Sequence, residues 1–255
     1  MTAPRRPVLA GNWKMNHGPA EAARFFADFL ALVEPADDRT IAFFPPALSF
    51  AAAREALQGR PDVRLGVQNV YWEPGGAFTG EISVAMAKEA GAELVLIGHS
   101  ERRHVFGETS EEAARKVRAV LDGGLVPVLC VGETIDERRA GREQLVVEGQ
   151  LAPALAVVRP DEVGELVVAY EPVWAIGTGV TATPQDAAAM HRAVRQRLAG
   201  AFGAEAADEV PILYGGSVKP ENAAELLSQP GVDGVLVGGA SLDANGFAAI
   251  CRAAG

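Results

Sequence analysis

The sequence predicts a closed parallel (β/α)8 barrel built as a single domain over residues 1–255. Three observations lead there: eight short apolar runs recur along the chain, helix-forming stretches rich in Ala, Leu, Glu and Arg separate them, and the polar or glycine-rich words fall just after the runs end. The run ends are about 32 residues apart on average, the size of one strand-plus-helix unit, and eight such units in about 250 residues is the usual size of this barrel. A doubly wound open sheet accommodates the same strands, because counting strands does not establish closure.

In chain order, strands are expected over 7–10, 40–44, 63–67, 94–97, 126–131, 166–169, 211–214 and 234–237. They are almost continuously apolar rather than alternating, as strands are when a parallel sheet is covered on both faces. Helices are expected over 21–32, 111–121, 137–158 and 184–198. Thr183-Pro184-Gln185-Asp186 starts the last of these with a capping hydroxyl, a proline at the first helical position and an acid in the first turn. Residues 174–182 are then a loop. No consensus word recurs at the strand period, which argues against a solenoid, and no Pro/Gly/Ser-rich linker divides the chain.

Composition bounds the partners. With 49% hydrophobic residues the chain can bury a large core, yet its apolar runs fall well short of the roughly 18 to 20 residues that a membrane-spanning helix needs. Residues 1–7 carry two arginines without an apolar core behind them, so a signal peptide is not expected and a soluble, cytoplasmic protein is. A formal net charge of -10 argues against nucleic acid or an anionic membrane as partner. Cys130 and Cys251 lack metal-type spacing and are read as reduced thiols; no metal site is expected.

The unusual residues follow strand ends: Asn12-Trp13-Lys14, Gly98-His99-Ser100-Glu101-Arg102, Glu171, Gly215-Gly216-Ser217 and Gly238-Gly239. In a barrel these points share one rim, where such folds build active sites. Each has a plain structural reading as a loop cap, a surface ion or a tight turn. Each also has a chemical one. Glu171 is a general base against apolar walls, where burial raises carboxylate basicity. His99, at a helix start, is favoured neutral and can polarise a substrate oxygen. Lys14, the only cation expected to point inward near the rim, can attract an anion and stabilise a developing enolate. The late glycine pairs suit a phosphate cradle of backbone N–H groups. No P-loop word occurs, and Gly177-Thr178-Gly179 lacks the third glycine of a dinucleotide fingerprint, so a phosphate monoester fits better than a nucleotide.

Seven words in order, "GNWKMN", "GAFTGEIS", "IGHSERR", "LCVGE", "AYEPVWAIGTG", "YGGSVKPEN" and "VLVGGASL", span residues 11 to 242 and closely resemble the triosephosphate isomerase family. The resemblance implies a TIM barrel that interconverts dihydroxyacetone phosphate and D-glyceraldehyde 3-phosphate in glycolysis and gluconeogenesis, without metal or organic cofactor. It implies that Glu171 is the base, His99 the electrophile, Lys14 and Asn12 the rest of the polar site, and Glu101 the acid that holds the lysine. Substrate phosphate is expected on Gly177, Ser217, Gly238 and Gly239, beside Asn12 and Lys14. Pro172, Val173 and Trp174 are expected as the near hinge of a lid whose uncharged tip, Ala175, Ile176, Gly177, Thr178 and Gly179, closes over the anion. Ile176 and Leu236 are expected to press on the base.

The resemblance also implies a homodimer interlocked through Ala77, Phe78 and Thr79. Val180-Thr181-Ala182 departs from the Lys-Thr-Ala found in many members at the far hinge, which bears on lid flexibility. His17-Gly18 has no assigned role. A noncatalytic barrel that only binds a phosphate ligand is the alternative, and it has no need of Glu171, His99 and Lys14 together.

Overall fold

The computed structural model describes residues 6–176 and 182–254. Eight parallel strands, β1 (Val8–Asn12), β2 (Thr40–Phe44), β3 (Val63–Val67), β4 (Leu94–Ile97), β5 (Val126–Val131), β6 (Val167–Tyr170), β7 (Ile212–Tyr214) and β8 (Gly234–Val237), pair in sequence order. β8 pairs with β1, which closes the barrel and rules out the open sheet. The outer layer is α1 (Pro19–Leu32), α2 (Phe50–Ala56), α3 (Val84–Ala90), α4 (Ser100–His104), α5 (Ser110–Asp122), α6 (Ile135–Arg139), α7 (Glu143–Leu155), α8 (Pro184–Phe202), α9 (Ala204–Glu209), α10 (Pro220–Leu227) and α11 (Ala244–Arg252).

The expected strands are present with end shifts of one or two residues. β1 runs on through Gly11 and Asn12, which pair with Phe43 and Phe44. The helix expected over 137–158 is instead two, α6 and α7, because Gly141 takes a left-handed φ of 66° and its N–H returns to the Arg138 carbonyl. The start of α8 is as expected: the Thr183 hydroxyl accepts from the Asp186 amide and the Asp186 carboxylate accepts from the Thr183 amide. The expected loop over 174–182 begins inside a short 3-10 turn, Val173–Ala175.

Side-chain alternation divides the core in two. Val8, Ala10, Leu94, Leu96, Val128, Cys130, Val167, Ala169, Leu213 and Leu236 fill the barrel interior, while Leu9, Val95, Leu129, Val168 and Val235 face the helices. Gly66 lets this packing close, since a Cβ there would stand 2.3 Å from the Phe44 ring. The same parity places the site. Two residues beyond Ala10, Cys130, Ala169, Leu213 and Leu236 come Asn12, Gly132, Glu171, Gly215 and Gly238, so the next inward layer, at the rim, is one amide, one carboxylate and three glycines.

No helix among the described residues is long and apolar enough to cross a membrane.

Candidate active site

Glu171 continues the inward face of β6 past its end, and its neighbours in that layer are glycines for a steric reason. A Cβ on Gly132 would stand 1.7 Å from the Glu171 carbonyl oxygen, and one on Gly215 would stand 2.8 Å from its Cγ. The main chain at this point is fixed from both sides, by Glu171 N–H to the Val131 carbonyl and Gly215 N–H to the Tyr170 carbonyl, each 2.7 Å. The residue is 2% exposed.

Its carboxylate accepts from the Ser100 amide at 2.9 Å and from His99 Nε2 at 2.9 Å. Burial pushes the Glu171 pKa up, but His99, the Ser100 amide and nearby Lys14 outweigh it and hold the carboxyl below its ordinary value. Burial acts in the expected direction and is outweighed: the anion is dry but well supplied with donors.

His99 caps the N-terminus of α4, and its Nδ1 accepts from the Glu101 amide at 3.3 Å. An accepting Nδ1 needs its lone pair, so the ring proton sits on Nε2 and the ring is in its neutral form. Burial disfavours the imidazolium, while the Glu171 carboxylate draws the pKa above its ordinary value; with that carboxylate out of contact, burial, the largest cause, and Lys14 act against Glu101 alone.

Lys14 Nζ lies 2.6 Å from Glu101 Oε1. Its backbone is in the left-handed region, φ 52°, which is strained for a residue with a Cβ. Three contacts hold it there. The Lys14 amide donates to Asn12 Oδ1 at 3.0 Å, and the Gln68 side-chain amide donates to both the Lys14 carbonyl (2.7 Å) and the Phe44 carbonyl (2.8 Å).

Glu171, His99, Lys14 and Asn12 line one cavity of about 520 Å³ together with Ile176, Ser217, Leu236, Gly238 and Gly239. Ile176 and Leu236 supply apolar wall to this cavity. Gly238 lies beside the lysine, with its Cβ position 3.6 Å from Lys14 Cε, and the Asn222 side chain fixes the Ser217 carbonyl at 3.1 Å. One end of the cavity is thus carboxylate and imidazole, the other glycine backbone and ammonium. Lys219 also lines the mouth, so Lys14 is not the only cation there. A larger cavity of about 890 Å³ outside the barrel, between Trp72, Val84 and Val157, gathers none of these groups.

The segment just after β6, expected from the sequence as the near hinge of a lid, is anchored to a second buried glutamate. Glu133 accepts from Trp174 Nε1 at 2.8 Å and from the Tyr170 hydroxyl at 3.1 Å, and the Val173 amide donates to the Glu133 carbonyl. Pro172, Val173, Trp174, Ala175 and Ile176 are described; Gly177, Thr178, Gly179 and Val180 lie outside the described residues. Among the described residues no group of three or more His, Cys, Asp or Glu side chains could hold a metal ion.

The family model described as "Triosephosphate isomerase" matches residues 7–254. The chain belongs to the triosephosphate isomerase family. Curated relatives of that name include proteins from Solibacter usitatus, 51% identical over 96% of this chain and 98% of the relative, and from Symbiobacterium thermophilum, 52% identical over 98% and 97%. A third, from Roseiflexus sp., is 50% identical over 95% of each chain.

Within this member of the triosephosphate isomerase family, Ala77, Phe78 and Thr79 form an exposed tip, although Phe78 folds back against Tyr71 with ring centroids 4.5 Å apart. Sequence reasoning missed Ser100, Gln68, Gly132 and Glu133 as parts of the site. Gly132 and Glu133 stand in the word "LCVGE", and that word was the available signal. Ser100 contributes a backbone group, which no side-chain pattern marks.

Proposed function

We propose that the chain interconverts dihydroxyacetone phosphate and D-glyceraldehyde 3-phosphate, with Glu171 as the base. The observation that carries this is the convergence of Glu171, neutral His99 and Lys14 on one cavity that ends in Ser217, Gly238 and Gly239. Substrate phosphate sits on the backbone N–H groups of the glycine end, with Gly177 added from the lid, and Asn12 and Lys14 flank it. The Glu171 carboxylate takes a proton from the carbon beside the carbonyl. The electron pair moves onto the carbonyl oxygen, and the resulting enediolate is stabilised by the Nε2–H of His99 and the Lys14 ammonium. The hydroxyl proton on the first carbon passes to the former carbonyl oxygen by way of His99 Nε2, the new carbonyl forms at the first carbon, and Glu171 returns its proton to the former carbonyl carbon; both protons are accounted for and no cofactor is called for.

Glu171 cannot reach substrate while it accepts from Ser100 and His99. Leaving them removes the two donors that lower its pKa, and pressure from Ile176 and Leu236 keeps water away. Each unit of pKa regained is about 1.4 kcal/mol of added basicity. A noncatalytic phosphate-binding barrel would not require this base. A coupled assay without added metal tests the reading: turnover of both trioses supports it, and an inactive wild-type protein overturns it.

We also propose that it works as a cytoplasmic, single-domain protein and as a homodimer. Met15, Leu48, Val105 and Phe106 are 94%, 87%, 71% and 69% exposed, and they follow β1, β2 and β4 on the rim that carries the site. An apolar collection of this kind suits a second copy interlocked through Ala77, Phe78 and Thr79. Deleting those three residues should halve the sedimenting mass; an unchanged profile contradicts the interlock. The net charge of -10 disfavours nucleic acid and anionic membrane as partners.

A further inference from the structure

His17 has no role in the chemistry above, yet it reaches across the barrel mouth. It follows Lys14 by three residues and takes a left-handed backbone, φ 64°. Its Nε2 lies 3.0 Å from the Leu242 carbonyl, so that nitrogen carries a proton and donates. Its ring stands edge-on to Trp13, centroids 4.8 Å apart at 81°, and tilts against Phe25 at 5.8 Å. The His17 carbonyl accepts from the Ser49 hydroxyl at 2.5 Å, which ties this bend to the segment after β2. Gly18, its neighbour, opens α1 and gives its N–H to the Glu21 carboxylate.

Leu242 ends the 3-10 turn Gly239–Leu242, which begins directly after Gly238. That turn hangs from the segment after β1 at two places. Buried Trp13 donates its Nε1–H to the Ser241 carbonyl at 3.0 Å, and His17 donates to the next carbonyl, Leu242. Inside the turn, the Ser241 amide and hydroxyl both return to the Gly238 carbonyl, at 2.8 and 2.7 Å. A four-residue turn braced this way has little freedom to pivot, and its pose sets where the Gly238 and Gly239 N–H groups point. Trp13 braces it from the core. His17 braces it from the half-exposed side, on the same short segment that carries Lys14.

We propose that His17 is a positioning residue that holds the 238–242 turn in register with Lys14 and so sets affinity for the phosphate of the substrate. This rests on reading the Gly238-Gly239 end of the cavity as the phosphate end. The hydrogen bond to Leu242 carries the effect, and the ring's packing against Trp13 only aims it.

The test compares His17→Phe, which keeps an aromatic ring against Trp13 but cannot donate, with His17→Gln, which retains a side-chain N–H of similar reach. Loss of one such bond should raise both KM for dihydroxyacetone phosphate and Ki for inorganic phosphate about three- to tenfold in the Phe variant. Its kcat should stay within about twofold, because the groups at the reacting carbons are untouched. The Gln variant should recover most of the loss, and thermal melts establish that both variants are folded. A Phe variant with wild-type KM and Ki overturns the proposal, as does a Gln variant no better than Phe, or a kcat loss as large as the loss in kcat/KM. Wild-type protein that inorganic phosphate does not inhibit competitively would overturn the phosphate-end reading itself, and that arm is scored separately.

Discussion

Glu133 and Glu171 stand at the ends of neighbouring strands, both buried, and their carboxyls are shifted in opposite directions. Burial pushes both up. For Glu133 burial prevails over the Trp174 N–H, the Tyr170 hydroxyl and Arg138, whose guanidinium is 3.4 Å away, and the pKa is raised. For Glu171 the His99 ring and the Ser100 amide prevail, and the pKa is lowered. The difference lies in what the donors are attached to. Those of Glu133 belong to the end of β6 and the turn just after it, so its bonds brace structure. Those of Glu171 belong to the segment after β4, and the carboxylate itself lines the cavity, so it has somewhere to go. Depth of burial alone does not distinguish a brace from a base.

The largest expected contrast is in turnover. Glu171→Gln should lower kcat by about 100- to 10,000-fold, the usual contribution of a general base. Glu133→Gln keeps an oxygen for Trp174 and should cost less than about tenfold, since only bracing hydrogen bonds are weakened. Comparable losses in the coupled assay would erase the distinction between the two glutamates.

Gly132 joins them, preceding one and facing the other. Gly132→Ala drives a methyl into the Glu171 carbonyl, and displacing the base by about 1 Å should lower kcat about 100-fold. Gly149→Ala and Gly200→Ala, on helices α7 and α8 with nothing within 4 Å of the added carbon, should leave kcat unchanged and raise Tm. Wild-type turnover in Gly132→Ala would show that the close approach is not rigid.

The smallest effect is in stability. A carboxyl held below its ordinary pKa in the fold contributes stability above that range and loses it as pH falls; one held above does the reverse. Between about pH 3.5 and 5.5, the Tm of wild type minus that of Glu171→Gln should therefore grow with rising pH. The same difference for Glu133→Gln should shrink. Parallel slopes for the two variants would contradict the opposite shifts.

The barrel was legible because its strands are buried on both faces and their apolar runs stand out against the helices. The break at Gly141 was not, because helix-forming residues continue on both sides of it and one glycine does not announce its φ. Glu171, His99 and Lys14 were legible because each is a chemical residue just past a strand end. Glu133 looks the same by that criterion, and its partners Tyr170 and Trp174 come from 37 and 41 residues away, so only the fold shows that it braces the turn after β6. Gly132 and Gly215 acquire meaning through the register of β5, β6 and β7, where an absent side chain makes room for a present one. The sign of the Glu171 shift was illegible for a related reason, since its strongest donors are a ring from another strand end and a backbone amide.

Solvent exchange into substrate tests the central claim most directly. In D2O, with dihydroxyacetone phosphate followed by proton NMR, wild-type protein should place deuterium on the carbon next to the carbonyl as it isomerises. Glu171→Gln should show no exchange above the enzyme-free background while still binding inorganic phosphate. Exchange by the Gln variant at the wild-type rate would mean that another group takes the proton, and the assignment of Glu171 as the base would be wrong.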